Sequence, residues 1–196
     1  MLNFQHLSRG KKLILLISSL AVLALGLFAL FYKTPEEIPN SEFKTYASEL
    51  GISFQYPITY FLETKELGDG KKGHLSIVLT EDTEENRLVR EGKSPGRDGP
   101  VSITIELFQS PEYLDPQQWV KHDKASNFNL SNGMLTDAII AGKKAVSYHW
   151  SGLYEADSFV LQNRDYVVFA SVTYIAPEDQ IKKDFNTVVI ETLAFQ

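Results

Sequence analysis

Histidine has the widest chemical repertoire of any residue in this 196-residue chain, because imidazole serves as acid, base and metal ligand. The four histidines, His6, His74, His122 and His149, are far apart in the sequence. None stands in an HExxH motif or forms a pair with a carboxylate at metal-ligand spacing. His149 precedes Trp150 in a strand-like segment, so a structural role is favoured over a role as ligand.

Nucleophilic catalysis has one candidate, Ser151, which stands two residues after His149. The chain has no cysteine and no G-x-S-x-G elbow. Residues two apart on a strand share a face, so this proximity alone says little about catalysis. We therefore predict no catalytic residue and a protein that is not an enzyme. The alternative is a hydrolase-type enzyme that uses His149 or His122 without a known motif.

Metal and phosphate sites are also not expected. The acidic run at residues 81–86 lacks the alternating oxygen ligands and central glycine of a calcium loop, which favours a solvated charge cluster. The glycine-containing run at residues 68–73 is too short and too charged for a phosphate loop, and it predicts a turn. We predict no metal, no cofactor and no cofactor-binding residue.

Two segments are candidates for binding. Residues 81–100 form a long polar stretch, and such stretches are either functional or disordered. We expect a mobile, solvated loop there. Aromatic residues crowd the C-terminal part of the chain, where they are typical of a core and of cross-strand pairs but also suit a groove. They are Tyr148, Trp150, Tyr154, Phe159, Tyr166, Phe169 and Tyr174.

The elements that position these residues follow from hydrophobic periodicity. Alternating apolar residues predict an N-terminal hairpin that turns near residues 49–51, and most of the later chain is predicted as strand. Asp115 and Pro116 predict a helix start, with Trp119 and Val120 facing inward over residues 116–127. The further strands are predicted at residues 74–80, 101–108, 134–140, 143–150, 158–162 and 166–175.

A second helix is predicted at residues 178–192, opened by Pro177. Ile181, Phe185, Val188 and Thr192 recur at helical spacing and predict its buried face, which Val189 and Leu193 widen. Helices among many antiparallel strands predict an α+β fold, with the helices packed against a mainly antiparallel sheet.

An uncharged apolar run at residues 13–31 predicts one transmembrane helix, because a helix of that length spans about 29 Å. Arg9, Lys11 and Lys12 precede it and predict a cytoplasmic N-terminus. The run is long for a signal peptide and lacks a small-x-small cleavage site after it, so an uncleaved signal anchor is favoured. We predict a cytoplasmic basic leader at 1–12, a transmembrane helix at 13–32, a linker at 33–41 and an extracytoplasmic domain at 42–196.

The predicted external part is strongly acidic. All 25 Asp and Glu residues and 15 of the 19 Lys and Arg residues lie after residue 33, which gives a net charge of −10. Such a surface repels nucleic acid, so no nucleic-acid partner is expected. Without cysteine the domain has no disulfides, and its stability must come from its core.

Three short motifs carry a family resemblance. Residues 51–57 read GISFQYP and follow Tyr46, residues 142–148 read GKKAVSY in a GxxAxxY form, and residues 192–195 form an apolar tail. In this order they resemble PsbP-like domains, including the membrane-anchored bacterial-type relatives. The resemblance implies an α/β/α sandwich with a central, mainly antiparallel sheet. It implies no catalytic residues.

The combined expectation is a single-pass membrane protein whose external domain is a non-enzymatic binding or accessory module. Its partner would be a protein or an envelope component, bound through residues 81–100 or through the aromatic strands. The sequence leaves its oligomeric state open.

Overall fold

A computed structural model describes residues 42–68, 73–94, 98–109 and 111–196. The predicted N-terminal hairpin is confirmed: β1 (Phe43–Ala47) pairs antiparallel with β2 (Ile52–Pro57). A short last strand, β10 (Ala194–Phe195), pairs with the other edge of β2 and completes a three-stranded sheet. Gly51 closes the hairpin turn with a φ of +75°, which glycine adopts without strain.

A second sheet has seven strands in the order β3-β4-β5-β9-β8-β7-β6, and every neighbouring pair is antiparallel. The turn between β6 and β7 has positive φ at both Ala141 and Gly142, the two-residue geometry whose twist suits a hairpin. The strands are β3 (Tyr60–Glu66), β4 (His74–Glu81), β5 (Ile103–Gln109), β6 (Thr136–Ile140), β7 (Lys143–Ser151), β8 (Glu155–Asn163) and β9 (Tyr166–Tyr174).

One face of the large sheet packs against the small sheet and the C-terminal helix. That helix begins as α3 (Gln180–Asp184) and continues as a π-helix over Phe185–Ile190. The predicted buried face is right at Ile181, Phe185, Val189 and Leu193 but wrong at Val188 and Thr192, which are half-buried. The π-helix bonds residue i to i+5, so the chain after Phe185 turns Val189 and Ile190 toward the core instead.

The other face packs against α2 (Pro116–His122) and two short 3₁₀ turns, Lys124–Ser126 and Phe128–Leu130. The predicted inward residues Trp119 and Val120 are buried, with 0% and 1% exposure. The predicted helix over 116–127 is too long, because the α-helix ends at His122. The sheet therefore lies between two separate apolar cores, which confirms the α+β fold with a mainly antiparallel sheet.

The long solvated loop predicted at residues 81–100 is wrong in its first half. Residues Glu84–Arg90 form a helix, α1, whose N-cap Thr83 accepts a hydrogen bond from the Asn86 backbone. Arg90 holds the helix against the sheet: its guanidinium lies 4.1 Å from the Phe61 ring and donates to Thr80 and Asp82. This segment is therefore anchored rather than free.

The predicted leader, transmembrane helix and linker at 1–12, 13–32 and 33–41 lie outside the described residues. Residues 69–72 of the turn predicted at 68–73 also lie outside the described residues. Within the described ranges, no helix is both long enough and apolar enough to cross a bilayer.

Candidate functional site

A polar cluster forms beside the C-terminal helix, where strands β7 and β9 end and strand β8 begins. The β7–β8 hairpin pairs His149 with Asp157 and Ser151 with Glu155. His149 is thereby held between two carboxylates: Nδ1 lies 3.0 Å from Asp157 Oδ1, and Nε2 lies 2.8 Å from Glu155 Oε2. A doubly protonated imidazole can donate to both carboxylates at once, whereas a neutral ring can donate to one.

Lys182 of α3 joins this cluster from the helix side. Its ammonium lies 2.8 Å from Asp157 Oδ2, donates to the Tyr174 hydroxyl at 2.9 Å and lies 4.1 Å from the Tyr174 ring. The Tyr174 hydroxyl in turn donates to Asp157 Oδ1 at 3.2 Å. Asp157 thus receives donors from β7, β9 and α3, and it connects the helix to the sheet.

The carboxyl of Asp157 is stabilised in its charged form. Burial raises its pKa, but hydrogen bonds from Lys182 and His149 and the Lys182 charge outweigh burial, so the net shift of this pKa is downward. For Tyr174, burial is the main cause and raises the pKa of the phenol. The site therefore combines an ionised carboxylate with a neutral phenol at neutral pH.

This electrostatic arrangement predicts the behaviour of an Asp157→Asn variant. A lowered carboxyl pKa contributes stability above the unfolded-state pKa, and that contribution is lost as pH falls through the folded-state pKa. We expect the substitution to reduce the free energy of unfolding by about 1–2 kcal/mol at pH 7, because hydrogen bonds to a charged group are lost. The reduction should be much smaller once the pH lies below the lowered folded-state pKa of Asp157. Urea denaturation across this pH range measures the difference.

The control is Asp137→Asn, which removes the same charge from an exposed position on edge strand β6. It should change stability by less than about 0.5 kcal/mol at either pH. An equal loss in the two variants would contradict the specific role of Asp157.

A groove of about 350 Å³ adjoins this cluster. The sheet contributes Ser147, His149 and Phe159 to its walls, and Asn186 of the π-helix contributes from the other side. Isolated π-helical turns are rare and are frequently found at functional sites. Here the π-helical turn places Asn186 at the groove, where its amide donates to the Lys182 backbone carbonyl at 2.9 Å.

Ser151 and His149 lack the direct hydrogen bond of a serine triad. In a serine triad, one imidazole nitrogen faces the hydroxyl and the other faces the carboxylate. Here Ser151 donates to Glu155 Oε1 at 2.9 Å, and both nitrogens of His149 face carboxylates. Glu155 therefore occupies the position between serine and histidine that a direct hydrogen bond would need.

The other two histidines of the domain lie elsewhere. His122 stacks on Tyr113, with ring centroids 4.8 Å apart, on the helix that covers the opposite face of the sheet. His74 stacks on Phe108 at 4.2 Å, and its Nε2 lies 3.7 Å from Glu106, whose carboxyl pKa is raised by burial. The histidines thus do not converge on one site.

His149 and Ser151 were candidates by residue type, whereas Glu155, Asp157 and Lys182 were not predicted to belong to a site. A hairpin centred on Leu153 places 149 opposite 157 and 151 opposite 155, so strand register was the signal that could have found the two carboxylates. The acidic run at residues 81–86 leads from the last residue of β4 into the first turn of α1, where Glu84 and Glu85 lie. In the described part of the chain, no three His, Asp or Glu side chains group so as to hold a metal.

Comparison with known proteins bears on the fold. No protein-family model and no curated protein matches the chain. Among solved structures, the chain is similar to the solution structure of cyanobacterial PsbP (CyanoP) from Synechocystis sp. PCC 6803, with a TM-score of 0.51 and 12% sequence identity. The match covers 79% of this chain and 92% of that one. The fold is PsbP-like. At this level of identity the likeness concerns the fold alone, and the polar cluster of this PsbP-like domain is described from its own side chains.

Proposed function

We propose that the chain is a membrane-anchored accessory protein whose PsbP-like domain binds a protein partner on the extracytoplasmic side and catalyses no reaction. One observation carries the non-enzymatic part of this proposal. The acidic, basic and hydroxyl groups of the best candidate site pair with one another, and both nitrogens of His149 face carboxylates. The Tyr174 hydroxyl also lies 3.4 Å from His149 Nδ1, but it donates to Asp157. The PsbP-like fold supports an accessory or binding role.

The anchoring part rests on the uncharged run at residues 13–31 and on the basic residues before it. A helix of that length matches the hydrocarbon thickness of a bilayer. The flanking charge orients the chain so that residues 42–196 lie outside the cytoplasm.

The non-enzymatic role is tested by comparing the full-length protein with a His149→Gln variant on ester, phosphoester and peptide substrates. Both proteins should show the same background rate, because the imidazole is engaged by Glu155 and Asp157. A rate in the wild-type protein that falls at least about tenfold in the variant would establish the hydrolase alternative instead.

Membranes that contain the full-length protein test the anchor. Membranes washed with carbonate should retain the full-length chain, and protease added from outside should remove its C-terminal domain. A soluble product that begins near residue 34 would overturn the anchored form.

A further inference from the structure

A second and larger cavity lies at the opposite end of strand β9 from the His149 cluster. Its volume is about 690 Å³, which is within the range of ligand-binding sites. Tyr46 of β1 and Thr64 of β3 form parts of its walls, and Leu75, Leu107 and Tyr166 contribute apolar surface from the large sheet. The cleft therefore opens between the small sheet and the large sheet.

The lining suits the stem of a long side chain. Leu75 offers half-buried aliphatic surface beside the buried Leu107, and Tyr46 and Tyr166 offer half-buried aromatic rings. Aromatic faces attract cations through their quadrupole, by about 0.5–2 kcal/mol for each well-placed ring. Lysine and arginine combine an apolar stem with a charged head, so their side chains match both kinds of surface.

The charges around the cleft favour a cation. Glu49 and Glu66 line it and are exposed, and among the described residues neither forms an ion pair. Among the described residues of the lining, Lys65 is the one lysine, and its ammonium lies 3.2 Å from Glu63. The predicted domain as a whole also has a negative net charge. The electrostatic potential of the cleft and that of the whole domain therefore both attract basic groups.

The two flanking strands favour an extended chain as occupant. In the described part of the protein, β1 pairs only with β2, and β3 pairs only with β4. Both are therefore edge strands, and the cleft is lined by residues 46–47 of β1 and residues 64–66 of β3. Extended peptides commonly bind by adding to such an edge while alternate side chains enter a neighbouring pocket.

We propose that this cleft binds a basic, extended segment of a protein partner, with a lysine or arginine side chain entering between β1 and β3. The apolar stem contacts Tyr46, Tyr166 and Leu75, and the charged head lies at Glu49 and Glu66. This inference rests on the accessory function proposed above, and it specifies the chemistry of the partner.

Fluorescence anisotropy tests the proposal with the purified full-length chain at about 0.15 M salt. The probe is a labelled peptide of alternating lysine and valine residues. Saturable binding is expected, and Glu66→Gln should weaken it about five- to tenfold, with a similar effect for Glu49→Gln. The matched control is Glu63→Gln, on the same strand but outside the cleft lining. It removes the same charge and should leave affinity unchanged.

Specific results would overturn the proposal. They are the absence of saturable binding up to about 1 mM peptide, equal affinity for a peptide with glutamate in place of lysine, or equal effects of Glu66→Gln and Glu63→Gln. Competition by 1,5-diaminopentane as effective as that by the peptide would assign the cleft to small amines and would also contradict it. The hydrolysis assay is independent: activity that depends on His149 would remove the accessory function and leave the peptide result intact.

Discussion

Replacing Trp119 by alanine is expected to reduce the free energy of unfolding by about 3–5 kcal/mol, the usual cost of emptying an aromatic core position. Trp119 is fully buried, and its ring lies 5.0 Å from that of Phe108 and 5.8 Å from that of Phe169. It is the main side chain through which α2 covers the sheet. Urea denaturation followed by circular dichroism measures the loss.

Two further variants separate packing from other effects. Lys121→Ala, at an exposed position on the same helix, should change stability by less than about 0.5 kcal/mol. Trp119→Phe should cost much less than Trp119→Ala. It retains most of the ring and removes a buried indole N–H that has no hydrogen-bond partner among the described residues. If the alanine variant lost less than about 1 kcal/mol, the apolar core between α2 and the sheet would contribute little to stability.

Phe185→Ala is also expected to reduce the free energy of unfolding by about 3–5 kcal/mol. Phe185 is fully buried in the core between the large sheet and the C-terminal helix, and its ring stacks on that of Phe159 with centroids 5.8 Å apart. It also lies between the two helical residues of the candidate site, Lys182 and Asn186. We therefore expect the backbone amides of this helix to lose hydrogen-exchange protection more than those of α2, which packs on the opposite face.

The control for this variant is Thr187→Ala, two residues along the same π-helix at an exposed position. It should be nearly neutral both in stability and in exchange. If the protection of α2 and the C-terminal helix fell equally in Phe185→Ala, the two layers would unfold as one unit, contrary to the expected local effect.

The hairpins were predictable because their signals are local. Alternating residues and the turn at Ala141–Gly142 specify β6 and β7 without information from the rest of the chain. Strand β3 was missed since Tyr60 is its only fully buried residue, so its sequence lacks the alternation of a half-buried strand.

Other features depend on contacts between distant residues. Helix α1 was not predicted, because it is held in place by the contact of Arg90 with Phe61, and Phe61 lies on the unpredicted strand β3. The π-helix could not be predicted from a period of 3.6, which placed Val188 on the buried face. At the candidate site, His149 was found by residue type, whereas its bond to Asp157 needed the hairpin register and the contact of Asp157 with Lys182 needed helix packing.

The order of the strands also constrains how the chain folds. The large sheet consists of two local meanders, β3-β4-β5 and β6-β7-β8-β9, joined in the middle where β5 pairs with β9. Pairing of β5 with β9 closes a long loop. The chain therefore loses loop entropy before the stabilising contacts between these strands form. During synthesis, the first meander emerges with one edge of β5 unpaired until β9 is made. One edge of β2 in the small sheet stays unpaired until β10 is made. We expect the stage with these edges unpaired to be the one at which the nascent chain is most prone to aggregation.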